Sequence, residues 1–296
     1  MTLDYFEGAP TPRQPKAQPY FMYHIKKTGG ISILSAIRLS FGQFRKELIE
    51  KGIVLPENLT GRIDNMEQLD LTDKNVEIRA MFIASHLPFG AHEKLQQDFR
   101  LITVLRRPWP RCLSNYSYLK MRSGTAPRLA EFDAFIADES NCNVMTKQLS
   151  GCLPEQPINE DDFNRALHNL KAHFHAFGVE PDLPYITSDI LKANGLPNVV
   201  SERINPTAAA FKLSCDESDA FKARNAWDIQ LYDYVSKNPR RPEADDVPPS
   251  PDTVLIREVG DHEKSCVQCL ALSGDIKPFI KGTQASDDIL EALNSV

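Results

Sequence analysis

Short unbroken apolar runs alternate along this chain with longer stretches in which apolar residues recur every three or four positions. The first run, Tyr20 to Ile25 (YFMYHI), reads as a short buried strand. Past Ser32, the residues Ile33, Leu34, Ile37 and Leu39 return at helical spacing, with Gly42 as a stop. Residues 76–86 (VEIRAMFIASH) predict a second strand ending at His86, and residues 100–107 (RLITVLRR) a third. Pro108 then suits the first turn of a helix, and WPRCLSNYSYLKMR continues in helical pattern. Residues 160–173 predict an amphipathic helix with Phe163, Leu167 and Leu170 inward, 175–179 a strand, and Tyr185 to Ala193 a short helix. Residues 43–75 are mixed and charged, with helical pieces at Phe44–Lys51 and Met66–Leu69. Strands alternating with helices set the expected fold class: α/β, three layers, a mostly parallel central sheet with helices on both faces.

The ends differ from the middle. Pro10, Pro12, Pro15 and Pro19 make residues 1–19 an extended N-terminal arm. Residues 237–252 (KNPRRPEADDVPPSPD) read as a linker. Residues 253–296 hold a strand-like VLIREVG and a helix-like DDILEALNSV, an extension without an assigned role. At 296 residues and 42% hydrophobic content, the chain is long enough for one large domain with appendages. The net charge of −6 argues against general nucleic-acid binding. No apolar run reaches the ~20 residues that span a bilayer. The first residues lack the basic and apolar regions of a signal peptide. The six cysteines are scattered and expected to be reduced. Cys266 and Cys269 form a CxxC with no second pair to complete a zinc site; packing is the favoured role and a redox pair the alternative. His173 and His175 flank Phe174 and on a strand would share a face, but no carboxylate or cysteine partner makes them a metal site.

Chemistry concentrates between the first strand and the first helix, in Lys26, Lys27, Thr28, Gly29, Gly30, Ile31 and Ser32. A strand–glycine turn–helix layout points backbone N–H groups and a helix start at one spot, which is how proteins hold phosphate. Lys27 adds charge, Thr28 and Ser32 add hydroxyls, and paired glycines let an anion approach the backbone. The order is not that of a Walker A loop, because Lys27 precedes Gly29. A plain βα turn with a surface lysine pair is the alternative.

A second cluster follows the third strand. From Phe99 to Ala130 there is no Asp or Glu, while Arg100, Arg106, Arg107, Arg111, Lys120, Arg122 and Arg128 all fall there. Arginines ending a buried strand, at the sheet edge that carries the glycine turn, suit a bound polyanion better than a solvated face. His86, at the end of its own strand, is a candidate general base or a turn cap, with His92 the fallback.

The run HIKKTGGIS resembles the HIPKTGGTS signature of sulfotransferase family 2, the carbohydrate sulfotransferases related to heparan sulfate 2-O-sulfotransferase. It departs at Lys26, where the family has proline, and at Ile31, where it has threonine. The segment after the third strand is similar to the family's LRDPxxRxxSxY, with Arg106, Pro108, Arg111, Ser114 and Tyr116 in place and Arg107 where aspartate is usual. Asn143, Thr146, Lys147, Leu149 and Gly151 resemble its N-x-x-T-[RK]-x-L-x-G segment, read as lining the acceptor cleft or simply ending a helix. Arg203 falls in a K/R-[LI]-N-x-[ST]-like element. Asn225 to Tyr232 resembles the closing helix, with Trp227, Ile229 and Leu231 buried and Asp228 hydrogen-bonded near the sheet end. The resemblance covers residues 20–236 and implies a P-loop-NTPase-like sulfotransferase fold.

It also implies an activity: transfer of the sulfuryl group of 3′-phosphoadenosine 5′-phosphosulfate (PAPS) to an acceptor hydroxyl, on a carbohydrate. Residues 26–32 would hold the 5′-phosphosulfate, with Lys27 stabilising the leaving phosphate. Arg106 and Ser114 would hold the 3′-phosphate, Arg203 would add charge, and His86 would take the acceptor proton. No metal is called for. Eukaryotic relatives carry an N-terminal membrane anchor, so its absence suggests a cytoplasmic, bacterial protein. A kinase on a similar fold, or an inactive nucleotide- or glycan-binding module, are the alternatives.

Overall fold

The computed structural model describes residues 18–34, 36–37, 60–63, 82–95, 98–193, 199–201, 215–241, 254–261 and 264–271. Its centre is a five-stranded sheet of β1 (Tyr20–Tyr23), β2 (Thr60–Ile63), β3 (Phe82–Ser85), β4 (Arg100–Leu105) and β5 (Phe174–Val179). The strand order is β2-β3-β1-β4-β5 and every neighbouring pair is parallel. Parallel strands need crossovers, and among the described residues α-helices lie in those that follow β1 and β4. A helix occupies residues 30–34 and 36–37 (α1). It is followed by α2 (Pro108–Arg122), α3 (Leu129–Ala137), α4 (Val144–Ser150), α5 (Glu160–His173), α6 (Leu183–Ala193), α7 (Asp219–Arg224) and α8 (Ala226–Lys237).

Alternation along each strand divides the core in two. Tyr20, Met22, Phe82, Ala84, Ile102, Val104 and Ala176 pack on one face against Ile33 and Ile37 of α1 and Ile186 and Ile190 of α6. Phe21, Tyr23, Ile83, Leu101, Leu105 and Phe174 pack on the other, against Met145 of α4, Leu170 of α5 and Leu231 of α8. With both faces covered, strands read as continuous apolar runs, which is why YFMY carries no polar alternation. Each fully buried side chain of this size contributes about 1.5–3 kcal/mol. The helix after β1 therefore lies on one face and α4 and α5, between β4 and β5, on the other, while α2 and α3 form a separate cluster through Cys112, Tyr116, Phe132 and Ile136. This makes the β1/β4 boundary the sheet's switch point, and open α/β sheets bind ligands outside the carboxyl ends of the strands at such a point.

The expected α/β class and parallel sheet are present, with changes of detail. The strands end earlier than the apolar runs, at Tyr23, Ser85 and Leu105. Strand β2 (TGRI) has no apolar signature, being short and at the sheet edge, where one neighbour suffices. His173 and His175 do not share a face, because His173 still belongs to α5. His173 packs on Phe89, whereas His175 meets Asp189 at 3.0 Å. In α8 the buried stripe is Asp228, Leu231 and Val235, while Trp227 and Ile229 are only half-buried; spacing of two cannot face one way on a helix.

Residues placed in the linker begin with a tether. Arg240 pairs with Phe177 of β5 through both backbone groups, and Arg241 meets the Asp182 carboxylate at 2.7 Å. A second sheet of β6 (Val199–Ser201), β7 (Val254–Asp261) and β8 (Lys264–Ala271) runs in that order, β6 parallel to β7 and β7 antiparallel to β8. VLIREVG is thus a strand. Cys266 and Cys269 lie on β8, where positions three apart fall on opposite faces. The arm of residues 1–17, the pieces at 44–51 and 66–69, Arg203 and the helix-like end all lie outside the described residues. Among the described residues, no helix is long and apolar enough to cross a membrane.

Candidate anion site at the carboxyl edge of the sheet

The turn after β1 is built around a buried histidine. The His24 amide donates to the Ser85 carbonyl at 2.8 Å, extending the β1–β3 pairing by one residue. Its ring then folds under the turn and packs against Gly30. A β-carbon at Gly30 would sit 2.2 Å from His24 Cδ2, so no larger residue fits without displacing the ring. Gly29 has φ +97, a conformation side chains disfavour, and a β-carbon there would also meet Leu183 of α6 at 2.7 Å. Lys27 is a non-glycine residue at φ 71. Such left-handed residues are uncommon and cluster at ligand-binding turns. The amides of Lys27 and Gly29 have no acceptor among the described residues. In the first turn of α1 the Ser32 amide donates to the Gly29 carbonyl at 2.9 Å.

The loop's side chains divide unevenly. Lys26 and Ile31 are exposed and Ser32 is half-buried. Thr28 is fully buried and its hydroxyl donates to the Ile25 carbonyl at 2.9 Å. The donor role expected of Thr28 is thus replaced by a structural one: its only proton closes the turn. Lys27 is half-buried, with Nζ 4.4 Å above the Tyr118 ring of α2. Burial, and then the charge of Arg106, hold the Lys27 pKa below the usual lysine value.

Arg106 ties the two basic motifs together. It stands at the end of β4, beside β1, and its Nη1 donates to the Lys27 carbonyl at 3.1 Å. Its Nε lies 3.1 Å from Glu180 Oε1, on the turn that follows β5. Ser114 is half-buried on α2. The acid-free stretch is not one continuous basic surface. Arg107 and Arg122 are exposed, but Arg111 is buried near Asp228, and Lys120 and Arg128 both pair with Glu131.

The two histidine candidates separate. His86 follows β3 and its ring lies 4.7 Å from that of His24. Its Nδ1 is 2.6 Å from the His24 carbonyl, which can only accept, so Nδ1 carries a proton; in the neutral ring Nε2 is then the basic nitrogen. His92 instead takes the Tyr23 hydroxyl at Nδ1, 2.6 Å away. It lines a cavity of about 440 Å³ with Gln18, Asp98 and Phe99, residues that lead into the amino ends of β1 and β4. It therefore faces away from the glycine turn.

Asn143, Thr146 and Lys147, read as lining an acceptor cleft, are buried and engaged inside the fold. Lys147 Nζ donates to the Glu139 carboxylate and to the Glu139 and Pro154 carbonyls at 2.6–2.8 Å. Two residues of the site carried no sequence signal, Tyr118 and Glu180, each an ordinary surface type in its segment; His24 opens the HIKKTGGIS run but has no assigned role there. The chain matches no family model and no curated protein.

Proposed function

We propose that this protein is a PAPS-dependent sulfotransferase acting on an acceptor hydroxyl, of a carbohydrate, on a P-loop-NTPase-like sulfotransferase fold. The observation that carries the reading is the hydrogen bond from Arg106 to the Lys27 carbonyl. It joins two motifs far apart in sequence at the β1/β4 switch point, outside whose carboxyl ends open α/β sheets bind ligands. The strand order with β1 at the centre supports the fold. The residues suit the donor: a turn whose Lys27 and Gly29 amides have no acceptor among the described residues, with the cations Lys27 and Arg106 beside it.

PAPS supplies an activated sulfuryl group whose loss leaves negative charge on the phosphate. The amides of Lys27, Gly29 and α1 hold the 5′-phosphate, and Ser32 adds a hydroxyl. Lys27 brings positive charge to the bridging oxygen as the bond breaks. Its partly desolvated ammonium acts there more strongly than in water. Arg106 and Ser114 hold the 3′-phosphate, the feature that separates this nucleotide from ATP. His86 accepts the acceptor's proton at Nε2, with its ring fixed through Nδ1. Positioning and electrostatics carry such transfers, as in phosphoryl transfer.

Radiolabelled sulfate transfer onto a panel of glycans, phenols and lipids, without Mg²⁺, tests the activity. His86→Ala is expected to lower turnover by roughly 10²–10⁴-fold with nucleotide affinity near normal. Transfer to no acceptor points to a binding module, and dependence on Mg²⁺ to a kinase-like enzyme. Loss of nucleotide binding in His86→Ala removes His86 from the role of base.

A further inference from the structure

Glu180 is an acidic residue at the heart of a site read as binding anions. Its carboxylate lies 3.1 Å from Arg106 Nε, the same guanidinium that holds the Lys27 carbonyl. The turn that carries it, Glu180–Asp182, is fixed on all sides. Asp182 is buried, accepts from the Val179 amide at 2.8 Å, and pairs with Arg241. Gly178 leaves room for it, since a β-carbon there would meet Asp182 at 2.6 Å. Leu183, just beyond, packs on Gly29 of the loop. The backbone thus holds Glu180 beside the loop, while its side chain is the more open of the pair: 40% exposed, against 14% for Arg106.

We propose that Glu180 is a built-in competitor for the bound anion: its carboxylate and an incoming phosphate group contend for the Arg106 guanidinium. The inference rests on the nucleotide reading above for the identity of that phosphate. A carboxylate and a phosphate cannot share one arginine at contact distance without like-charge repulsion. The exposed partner is the one that can rotate into water; Arg106 stays because its other arm secures the loop. The contest lowers affinity for every anion. It does so most for weak, singly charged ones, while a dianion with several acceptor oxygens wins the arginine. Glu180 thereby sets a threshold that favours phosphate esters over chloride or free carboxylates. It also keeps Arg106 oriented by an anion in both cases.

The test is calorimetric titration of wild type, Glu180→Gln and Glu180→Ser with adenosine 3′,5′-bisphosphate and, separately, inorganic phosphate. Removing the competing charge is expected to tighten bisphosphate binding by about three- to tenfold in both variants, the range of a partly exposed ion pair. Unchanged or weaker binding by variants that melt like wild type overturns the inference and makes Glu180 a clamp. If wild type ignores the bisphosphate, the nucleotide reading falls. Glu180 is then judged on inorganic phosphate alone, tighter in the variants if the inference holds and unchanged if it does not.

Discussion

Gly30 shows how much of this site depends on a missing methyl group. The glycine pair reads in sequence as room for an anion, and Gly29 with its positive φ fits that view. Gly30 is glycine for another reason: the His24 ring fills the space a side chain would take. His24 in turn holds His86 through its carbonyl and stacks on its ring. Loop and candidate base are therefore packed as one unit. Gly30→Ala is expected to cost about 1–3 kcal/mol by overpacking, with a tenfold or greater loss of bisphosphate affinity. Denaturant unfolding and calorimetry read the two effects. Because one ring is the obstacle, combining Gly30→Ala with His24→Ala should be less destabilising than the sum of the singles. Strict additivity would break the link. Sequence marks His24 as the head of the HIKKTGGIS run but not its packing on Gly30 and His86, which only the folded turn brings together.

Helices α4 and α8 explain two motifs that sequence located without showing their partners. Asn143 precedes α4, with φ 48 and ψ 39, a left-handed conformation that asparagine tolerates. Its side-chain oxygen accepts from the Trp227 and Asp228 amides in the first turn of α8, both at 3.1 Å. Asp228 returns the favour, accepting from the Met145 and Thr146 amides of α4 at 3.1 and 2.8 Å. Each helix start is capped by the other's side chain, meeting needs that neither sequence meets locally. A motif reading finds the asparagine and the aspartate; that they serve each other across 85 residues is a tertiary fact. Burial raises the Asp228 pKa, with the nearby Arg111 charge opposing. Asp228→Asn turns one acceptor into a donor facing N–H groups and leaves Arg111 buried without its counter-charge. It is expected to destabilise by about 2–4 kcal/mol, read by urea unfolding, while the folded fraction keeps its bisphosphate affinity within threefold. A variant as stable as wild type would show that the caps carry little.

Across the molecule, apolar runs were enough to place β1, β3, β4 and β5, because buried parallel strands advertise themselves. They missed β2 and the β7–β8 hairpin partner, where edge position or mixed residues leave no pattern. Charge drew too wide a patch: seven cations look alike in sequence, and only packing tells that Arg111 is core and that Lys120 and Arg128 are paired. What folding adds is the meeting of Lys27 and Arg106 at adjacent strand ends, which makes a single site of two motifs. The most direct test of that site is calorimetric titration with adenosine 3′,5′-bisphosphate in the absence of Mg²⁺. Wild type should bind one equivalent at about micromolar affinity or tighter, with Lys27→Ala and Arg106→Ala each weaker by tenfold or more. No binding, or variants that bind as wild type does, would contradict the account.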